Sequence, residues 1–319
     1  MKIPGFGSSK NKEPLTIEIE LENNAAELQL TRTGCDLAGT IVIKPAGKHR
    51  LTLLKLSFLE HEYFEFGAQR FTVTPYISHT FASPQGRNAQ EEHKVPFCFL
   101  LPENIHATVF TQYNTLRYEL RVMAKLGGEL VERSLEIFVC QKNYPVRGGG
   151  AVEEPHTHRL PLVDVQITAP VVVSGEAQVD VLLVPHSPYY YLVGVRCWVT
   201  EAIEYTRTNG DVLMSESHTA FELKAQNELW HEEPIPLVDD LLVEMHAKVP
   251  GYLKWLRREL WATNTMPATP PTANLVRLDT ANSHIRVSHT LHYKVKLWDQ
   301  YQNTVVAEDT RQIYINSQK

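Results

Sequence analysis

The sequence predicts an all-β protein made of two tandem antiparallel immunoglobulin-like β-sandwiches, and three observations support this prediction. Segments such as residues 15–21 and 26–30 place apolar side chains at every second position, which is the period of a half-buried strand. Proline and glycine separate many of these segments, and the first 140 residues contain no long helical pattern. The second half of the chain also repeats the order of the strands predicted in the first half.

The first sandwich is predicted to span residues 15–144, after a flexible N-terminus at residues 1–14. Its strands are expected at residues 15–21, 26–30, 39–43, 51–58, 97–101, 116–122 and 135–139. The alternating pattern breaks at residues 145–162, where three consecutive glycines, several prolines and two acidic residues cannot supply a strand core. We therefore expect an interdomain linker there. The pattern resumes at residue 163, and the second sandwich is predicted to span residues 163–317.

Four blocks of the first half recur, in order, in the second half. Residues 39–43 match 179–184, residues 54–60 match 195–201, residues 116–122 match 291–297, and residues 137–139 match 313–315. The second pair of blocks aligns Glu60 with Glu201. The interval between the second and third blocks is longer in the second half, which predicts an insertion at about residues 207–281. Within it, Leu253, Leu256 and Leu260 follow a helical spacing and predict one short amphipathic helix.

Composition excludes several classes of protein. The chain has 319 residues, enough for two domains, and 43% of them are hydrophobic, which is ample for packed interiors. A net charge of -6 argues against nucleic-acid binding by bulk charge. The four cysteines form no C-x-x-C pair, and no run of about 18 apolar residues could span a membrane. With no secretory leader pattern at the start of the sequence, we expect a soluble cytoplasmic protein with reduced thiols.

The repeated blocks carry a resemblance to a known family. Residues 95–102 (Val-Pro-Phe-Cys-Phe-Leu-Leu-Pro), followed by residues 116–122 (Leu-Arg-Tyr-Glu-Leu-Arg-Val), resemble the "PF-x-F-x-LP" and "I/L-R-Y" strands of the arrestin amino-terminal domain. Residues 284–297 (His-Ile-Arg-Val-Ser-His-Thr-Leu-His-Tyr-Lys-Val-Lys-Leu) are similar to the strand pair of the arrestin carboxy-terminal domain, particularly in fungal-type α-arrestins. The resemblance extends from about residue 15 to residue 315.

The resemblance implies the arrestin fold and the function of a cytosolic adaptor. α-Arrestins bind plasma-membrane transporters or receptors and recruit a HECT-type ubiquitin ligase through PY motifs, so that the cargo is ubiquitylated and internalised. The partners expected here are therefore cytoplasmic tails of membrane proteins and a ligase with WW domains, with recruitment to the plasma or endosomal membrane. No cofactor is expected.

The chain departs from the family in its ligase-binding motif. It contains neither Pro-Pro-x-Tyr nor Leu-Pro-x-Tyr. A WW domain binds an extended proline in an aromatic groove and a tyrosine in a second pocket, and two segments offer that pair. The candidate WW-binding residues are Val249, Pro250 and Tyr252 in one segment and Ser187, Pro188 and Tyr190 in the other. For both segments, a turn proline beside a packed tyrosine is the structural alternative.

The predicted helix contains a cluster of aromatic and basic residues. Such a cluster suits a membrane interface, where rings lie at the level of the headgroups and cations meet anionic lipid. The candidate contacts with an anionic membrane surface are Tyr252, Lys254, Trp255, Arg257, Arg258 and Trp261. The alternative is a helix that packs its leucines on the sandwich.

Enzyme chemistry finds little support in the sequence. There is no Gly-x-Ser-x-Gly, phosphate loop or His-Glu-x-x-His, so we expect no catalytic site. His156 and His158 lie near Glu153 and Glu154, and these residue types together resemble the ligands of a metal site. Because they fall in the predicted linker, we interpret them as part of a solvated loop and expect no metal.

Two functions remain open from the sequence. The first is a trafficking adaptor that holds cargo tails on exposed strands and on its interdomain face, partly by strand addition. The second is a regulatory scaffold of arrestin fold without a ligase partner, comparable to retromer subunits or to bacterial sporulation-control proteins.

Overall fold

A computed structural model provides the structure of the chain. It describes residues 16–22, 27–30, 35–44, 51–66, 68–81, 92–102, 105–111, 113–126, 129–141, 156–173, 175–207, 209–225, 233–249, 280–281 and 284–315. Strands dominate these ranges, and no α-helix occurs within them. This confirms the all-β prediction. The short helix predicted at residues 253–260 lies outside the described residues.

The chain forms two compact units. The first contains Met1–Thr108 and Thr115–Val139, and the second contains Val109–Asn114 and Cys140–Lys319. The strands up to residue 141 are, in chain order, β1 (Thr16–Leu21), β2 (Glu27–Leu30), β3 (Cys35–Lys44), β4 (Leu51–Phe66), β5 (Ala68–Phe81), β6 (His93–Leu101), β7 (Val109–Phe110), β8 (Asn114–Leu126) and β9 (Glu129–Gln141).

The first unit is a sandwich of two antiparallel sheets. One sheet has the order β1-β3-β6, and the other contains β2, β9, β8, β4 and β5 in that order. Apolar side chains at alternate positions of both sheets are buried, among them Ile41 of β3, Leu56 and Phe58 of β4, and Leu120 of β8. This is the burial that the period-two pattern predicts for strands with one face on a core.

The second unit is built from one long sheet. Its strands are β10 (His156–Leu160), β11 (Val163–Thr168), β12 (Val172–Val173), β13 (Glu176–Pro185), β14 (Tyr191–Thr206), β15 (Val212–Ala225), β16 (Ile235–Pro236), β17 (Leu241–Lys248), β18 (Thr280–Ala281), β19 (Ile285–Trp298) and β20 (Thr304–Ile315). The order is β10-β11-β13-β17-β15-β14-β19-β20-β12. β17 meets β15 through only two described residue pairs. The strands on either side of this short junction, β11-β13-β17 and β15-β14-β19-β20, form the two layers of the sandwich.

The two units repeat one strand topology. The order β1-β3-β6 corresponds to β11-β13-β17, and the order β9-β8-β4-β5 corresponds to β20-β19-β14-β15. The four sequence blocks that match between the halves fall on corresponding strands of this alignment. Glu60 therefore lies on β4 and Glu201 on the equivalent strand β14.

The interval predicted as a linker contains a strand. β10 lies at His156–Leu160 and pairs antiparallel with β11, with His156 opposite Ile167 and Leu160 opposite Val163. The interpretation of His156 and His158 as a solvated loop is therefore wrong. β10 is the outermost strand of the sheet order and its side chains are largely exposed, so it lacks the alternating apolar residues by which a strand is recognised. Its pairing depends on backbone hydrogen bonds.

The described residues include no helix that is long and apolar enough to cross a lipid bilayer.

Candidate functional site

The first unit has two open strand edges on one side. β5 pairs with β4 and β6 pairs with β3, and neither has a second neighbour among the described strands. Aromatic rings connect the two edges. The ring of His79 on β5 lies 6.0 Å from that of Phe99 on β6 and 4.7 Å, edge to face, from that of Phe81. Phe97 stacks beside Phe99 with centroids 5.8 Å apart. We call His79, Phe81, Phe97 and Phe99 the edge cluster.

The β5 edge carries little charge. Residues 72–81 contain no Asp, Glu, Lys or Arg. Natural edge strands commonly carry charged side chains, which discourage pairing with another chain. β1, an outer strand of the opposite sheet, does carry them, and Glu18 there forms an ion pair of 2.9 Å with Lys44. Val73 on β5 is 45% exposed and Leu100 on β6 is 68% exposed, and each lies on the outward face of its strand, opposite the edge cluster.

A bulge in β5 aims one tyrosine inward. The pairing register shifts between Phe58 and Leu59, so Tyr76 lies between the partners of these two residues. The Tyr76 hydroxyl donates to Oε2 of Glu60 at 2.9 Å, and the Tyr118 hydroxyl lies 3.0 Å from the same oxygen. Burial, together with the Glu60 charge, raises the pKa of both tyrosines, so both remain hydrogen-bond donors at neutral pH. The bulge thus anchors the middle of the edge strand.

A second carboxylate, Glu119 on β8, is held by three donors. Nε2 of His61 lies 2.8 Å from Oε2 of Glu119, and Nε of Arg121 lies 2.8 Å from Oε1. The Ser134 hydroxyl also donates to Oε1. Burial alone would raise the pKa of Glu119, but the hydrogen bonds from His61, Arg121 and Ser134 outweigh burial and hold that pKa well below its usual range.

Replacing Glu119 with glutamine is expected to reduce the free energy of unfolding by about 2 kcal/mol at pH 7, because the charged hydrogen bonds are lost. The low pKa of the folded carboxylate means that its contribution is fully present above the unfolded value, near 4.5, and is lost as the pH falls below it. The difference between the two proteins should therefore shrink below pH 4.5. Urea denaturation followed by circular dichroism at several pH values measures this. Glu18→Gln removes an exposed ion pair and should change stability by less than about 1 kcal/mol.

In the second unit, Glu201 lies between two histidines. On β14 it is the cross-strand partner of His289 on β19 and of His218 on β15. Oε2 of Glu201 is 3.2 Å from Nε2 of His289, and both side chains are fully buried. Oε1 is 3.5 Å from Nε2 of His218, which is about half exposed. The two units thus place a glutamate at the same repeat position and surround it with different donors, tyrosines in the first and histidines in the second.

A cluster that could hold a metal ion lies between β10 and β20. Nε2 of His156 is 3.1 Å from Oδ2 of Asp309, and Nε2 of His158 is 3.8 Å from the same oxygen. Nε2 of His158 also lies 2.9 Å from the Tyr293 hydroxyl. A cavity of about 160 Å³ adjoins the cluster and is lined by His156, Tyr293, Asp309 and Arg311, among others. Among the described residues, these two histidines and Asp309 form the one set suited to a metal ion.

Only some of the candidate WW-binding residues lie within the described ranges. Val249 is buried and its backbone amide donates to the carbonyl of Gly175 at 2.9 Å. Pro250 and Tyr252 lie outside the described residues. In the other segment Pro188 is exposed, but Tyr190 is only 5% exposed and its carbonyl accepts from the amide of Leu237. Tyr190 would have to leave the core to enter a partner's pocket.

The candidate membrane contacts are not described by the structure. These are Tyr252, Lys254, Trp255, Arg257, Arg258 and Trp261, which lie outside the described ranges. The membrane interaction therefore stays a prediction.

Sequence reasoning missed both the edge cluster and Asp309. His79 and Phe99 are distant in sequence, and only the pairing of β5 and β6 with their separate sheets brings them together. The absence of charge from residues 72–81 was a signal available in the sequence. Asp309 also carried a signal, because it shares its side of β20 with the buried Ala307 and Ile313 and so places a charge in a core-facing alternation.

No protein-family model matches the chain, and no curated protein is significantly similar to it.

Proposed function

We propose that the chain is a non-catalytic adaptor that binds extended cytoplasmic segments of membrane transporters or receptors. The observation that carries this proposal is the β5 edge beside the edge cluster, which has no charged residue over 72–81 and no second neighbour among the described strands. An extended peptide can add to such an edge as a further strand, with backbone hydrogen bonds supplying affinity. The resemblance to α-arrestins supports the same class of function, with action in the cytoplasm at the plasma or endosomal membrane.

The edge cluster suggests which peptides bind. A strand paired with β5 turns alternate side chains toward the side of the sandwich on which Phe81 and Phe99 lie. Apolar or aromatic residues at every second position would gain contact there, since burial of aromatic surface contributes strongly to binding. Acidic peptides would find no Lys or Arg on residues 72–81 with which to form an ion pair. The preferred cargo is therefore an apolar alternating segment.

A HECT-type ubiquitin ligase is the second proposed partner. The buried Tyr190 weakens the segment with Pro188 as a ligand for a WW domain, and Val249 of the other segment is buried as well. The remaining candidates are therefore Pro250 and Tyr252. The same burial favours the second function, an arrestin-fold scaffold without a ligase. A pull-down with WW domains separates the two: binding that is lost in Tyr252→Ala supports the ligase partner, and absence of binding by the parent chain supports the scaffold.

The cargo proposal is tested with an array of overlapping fluorescent peptides that cover cytoplasmic segments of transporters and receptors. Peptides with alternating apolar residues are expected to bind the purified chain. Val73→Lys puts a charge on the edge strand and should weaken binding at least about tenfold. The matched control is Val212→Lys, the same change at a 56% exposed position of β15 in the second unit. Equal affinity of both variants and the parent would reject β5 as the binding edge.

A further inference from the structure

The geometry points to a zinc site formed by His156, His158 and Asp309, which would link β10 to β20 in the second unit. The inference is independent of the proposed cargo edge, which lies in the first unit. Two of the three residues, His156 and His158, had been interpreted from the sequence as part of a solvated loop.

The three side chains are arranged as ligands. His156 and His158 are two residues apart on β10, so both point to the same face of the strand. In a tetrahedral zinc site with bonds of 2.0–2.1 Å to nitrogen and oxygen, neighbouring ligand atoms are about 3.3 Å apart. The observed separations from Oδ2 of Asp309 are 3.1 Å to His156 and 3.8 Å to His158. Small side-chain adjustments are enough to bring all three atoms around one ion.

The donor set selects the kind of ion. Two imidazoles and one carboxylate suit zinc and other late first-row metals, whereas calcium and magnesium require mainly oxygen ligands. Three protein ligands leave a fourth tetrahedral position, and the adjoining cavity of about 160 Å³ provides space for water or a further group there. The site therefore resembles an open zinc site in its ligand count.

The surroundings both assist and limit binding. The Tyr293 hydroxyl lies 2.9 Å from Nε2 of His158, the atom that would bind zinc, so binding must break this contact. The freed hydroxyl can then hydrogen-bond to the carboxylate or to a bound water. Arg311 also lines the cavity, and its positive charge opposes the approach of a cation. His156 and Asp309 are about half exposed. We therefore expect weaker zinc binding than in a closed structural site with four protein ligands.

The site would add a metal cross-link to the side-chain contacts that already join β10 to β19 and β20. β10 begins the strand order and β20 lies near its other end, so a metal ion held by both would join the two layers of the sandwich. Because zinc would bind the folded unit and not the unfolded chain, it should raise the melting temperature of that unit.

The test is a titration of the full chain with Zn²⁺ in competition with a chromogenic chelator. Cys98→Ser serves as the parent, because Cys98 is an exposed thiol that could bind zinc elsewhere. We expect one saturable site per chain and a higher melting temperature. His156→Ala, His158→Ala and Asp309→Asn should each weaken binding at least about tenfold. Cobalt should give the absorption bands of a tetrahedral site in the parent and lose them in these variants.

The control is His186→Ala. His186 is also half exposed and lies 3.3 Å from Asp164, but it belongs to a pair with a single histidine. It should bind zinc as the parent does. Asp309→Asn is nearly isosteric at a partly exposed position, and circular dichroism will verify that it folds. The inference is overturned if the parent binds no zinc at large excess, or if Asp309→Asn and His156→Ala bind it as tightly as His186→Ala. Either result would identify the cluster as a hydrogen-bonded group only.

Discussion

Replacing His289 with alanine is expected to lower the free energy of unfolding of the second unit by about 3–5 kcal/mol. Glu201 and His289 are fully buried cross-strand partners, with Nε2 and Oε2 3.2 Å apart. The substitution removes this contact, leaves a cavity and takes a donor from a carboxylate that water does not reach. Removing one member of a buried pair is far more costly than removing an exposed ion pair.

Tryptophan fluorescence during urea denaturation measures this effect. All five tryptophans lie in the second half of the chain, within the residues of the second unit, so their emission reports on that unit. His218→Ala is the matched control, because it removes the other cross-strand histidine of Glu201 at an exposed position 3.5 Å away. Its expected effect is below about 1 kcal/mol. Similar losses in the two variants would contradict the assignment of His289 as the dominant partner of the pair.

Gly39→Ala is expected to destabilise the first unit by about 2–3 kcal/mol. Gly39 lies on the central strand β3, opposite Leu21 of β1 and Phe97 of β6. A methyl group there would lie 2.3 Å from the carbonyl oxygen of Glu20 and 2.8 Å from the ring of Phe97. The first of these is a backbone atom, so β1 would have to move away from β3. Amide exchange in β1 and β3 should therefore accelerate.

Gly210→Ala separates this packing effect from backbone strain. Gly210 has a φ of +90° and open space around its Cα, so an added methyl group meets no atom within 4 Å. Its substitution should cost about 1 kcal/mol through backbone conformation alone. If Gly39→Ala were no more destabilising than Gly210→Ala, the close approach of β1 to β3 would be wrong.

The sequence predicted the strands because burial on one face imposes a period of two. The repeated blocks also predicted which strands are equivalent, since they align Glu60 on β4 with Glu201 on β14. The alignment could not predict the partners of these residues: Tyr76 reaches Glu60 through a bulge in β5, and His289 reaches Glu201 from across a strand pair. β10 was missed because an exposed edge strand does not need an apolar face.

The candidate sites were predictable to different degrees. His156 and His158 were visible as a pair, but Asp309 is distant in sequence and joins them only through the folding of one long sheet. The segment with Pro188 and Tyr190 offers the proline and tyrosine that a WW domain binds. A buried tyrosine beside a turn proline has the same sequence pattern. The local sequence pattern thus predicts strands. A site whose residues come from strands distant in sequence can be identified only from the tertiary structure.

Hydrogen exchange tests most directly whether cargo adds to the edge of β5. The tightest-binding peptide of the array is added to the full chain, and amide exchange is followed by mass spectrometry. Strand addition predicts slower exchange within Ala68–Phe81 and loss of that protection in Val73→Lys, with β1 unchanged. Binding that leaves β5 unprotected, or protection confined to the second unit, would contradict strand addition at β5.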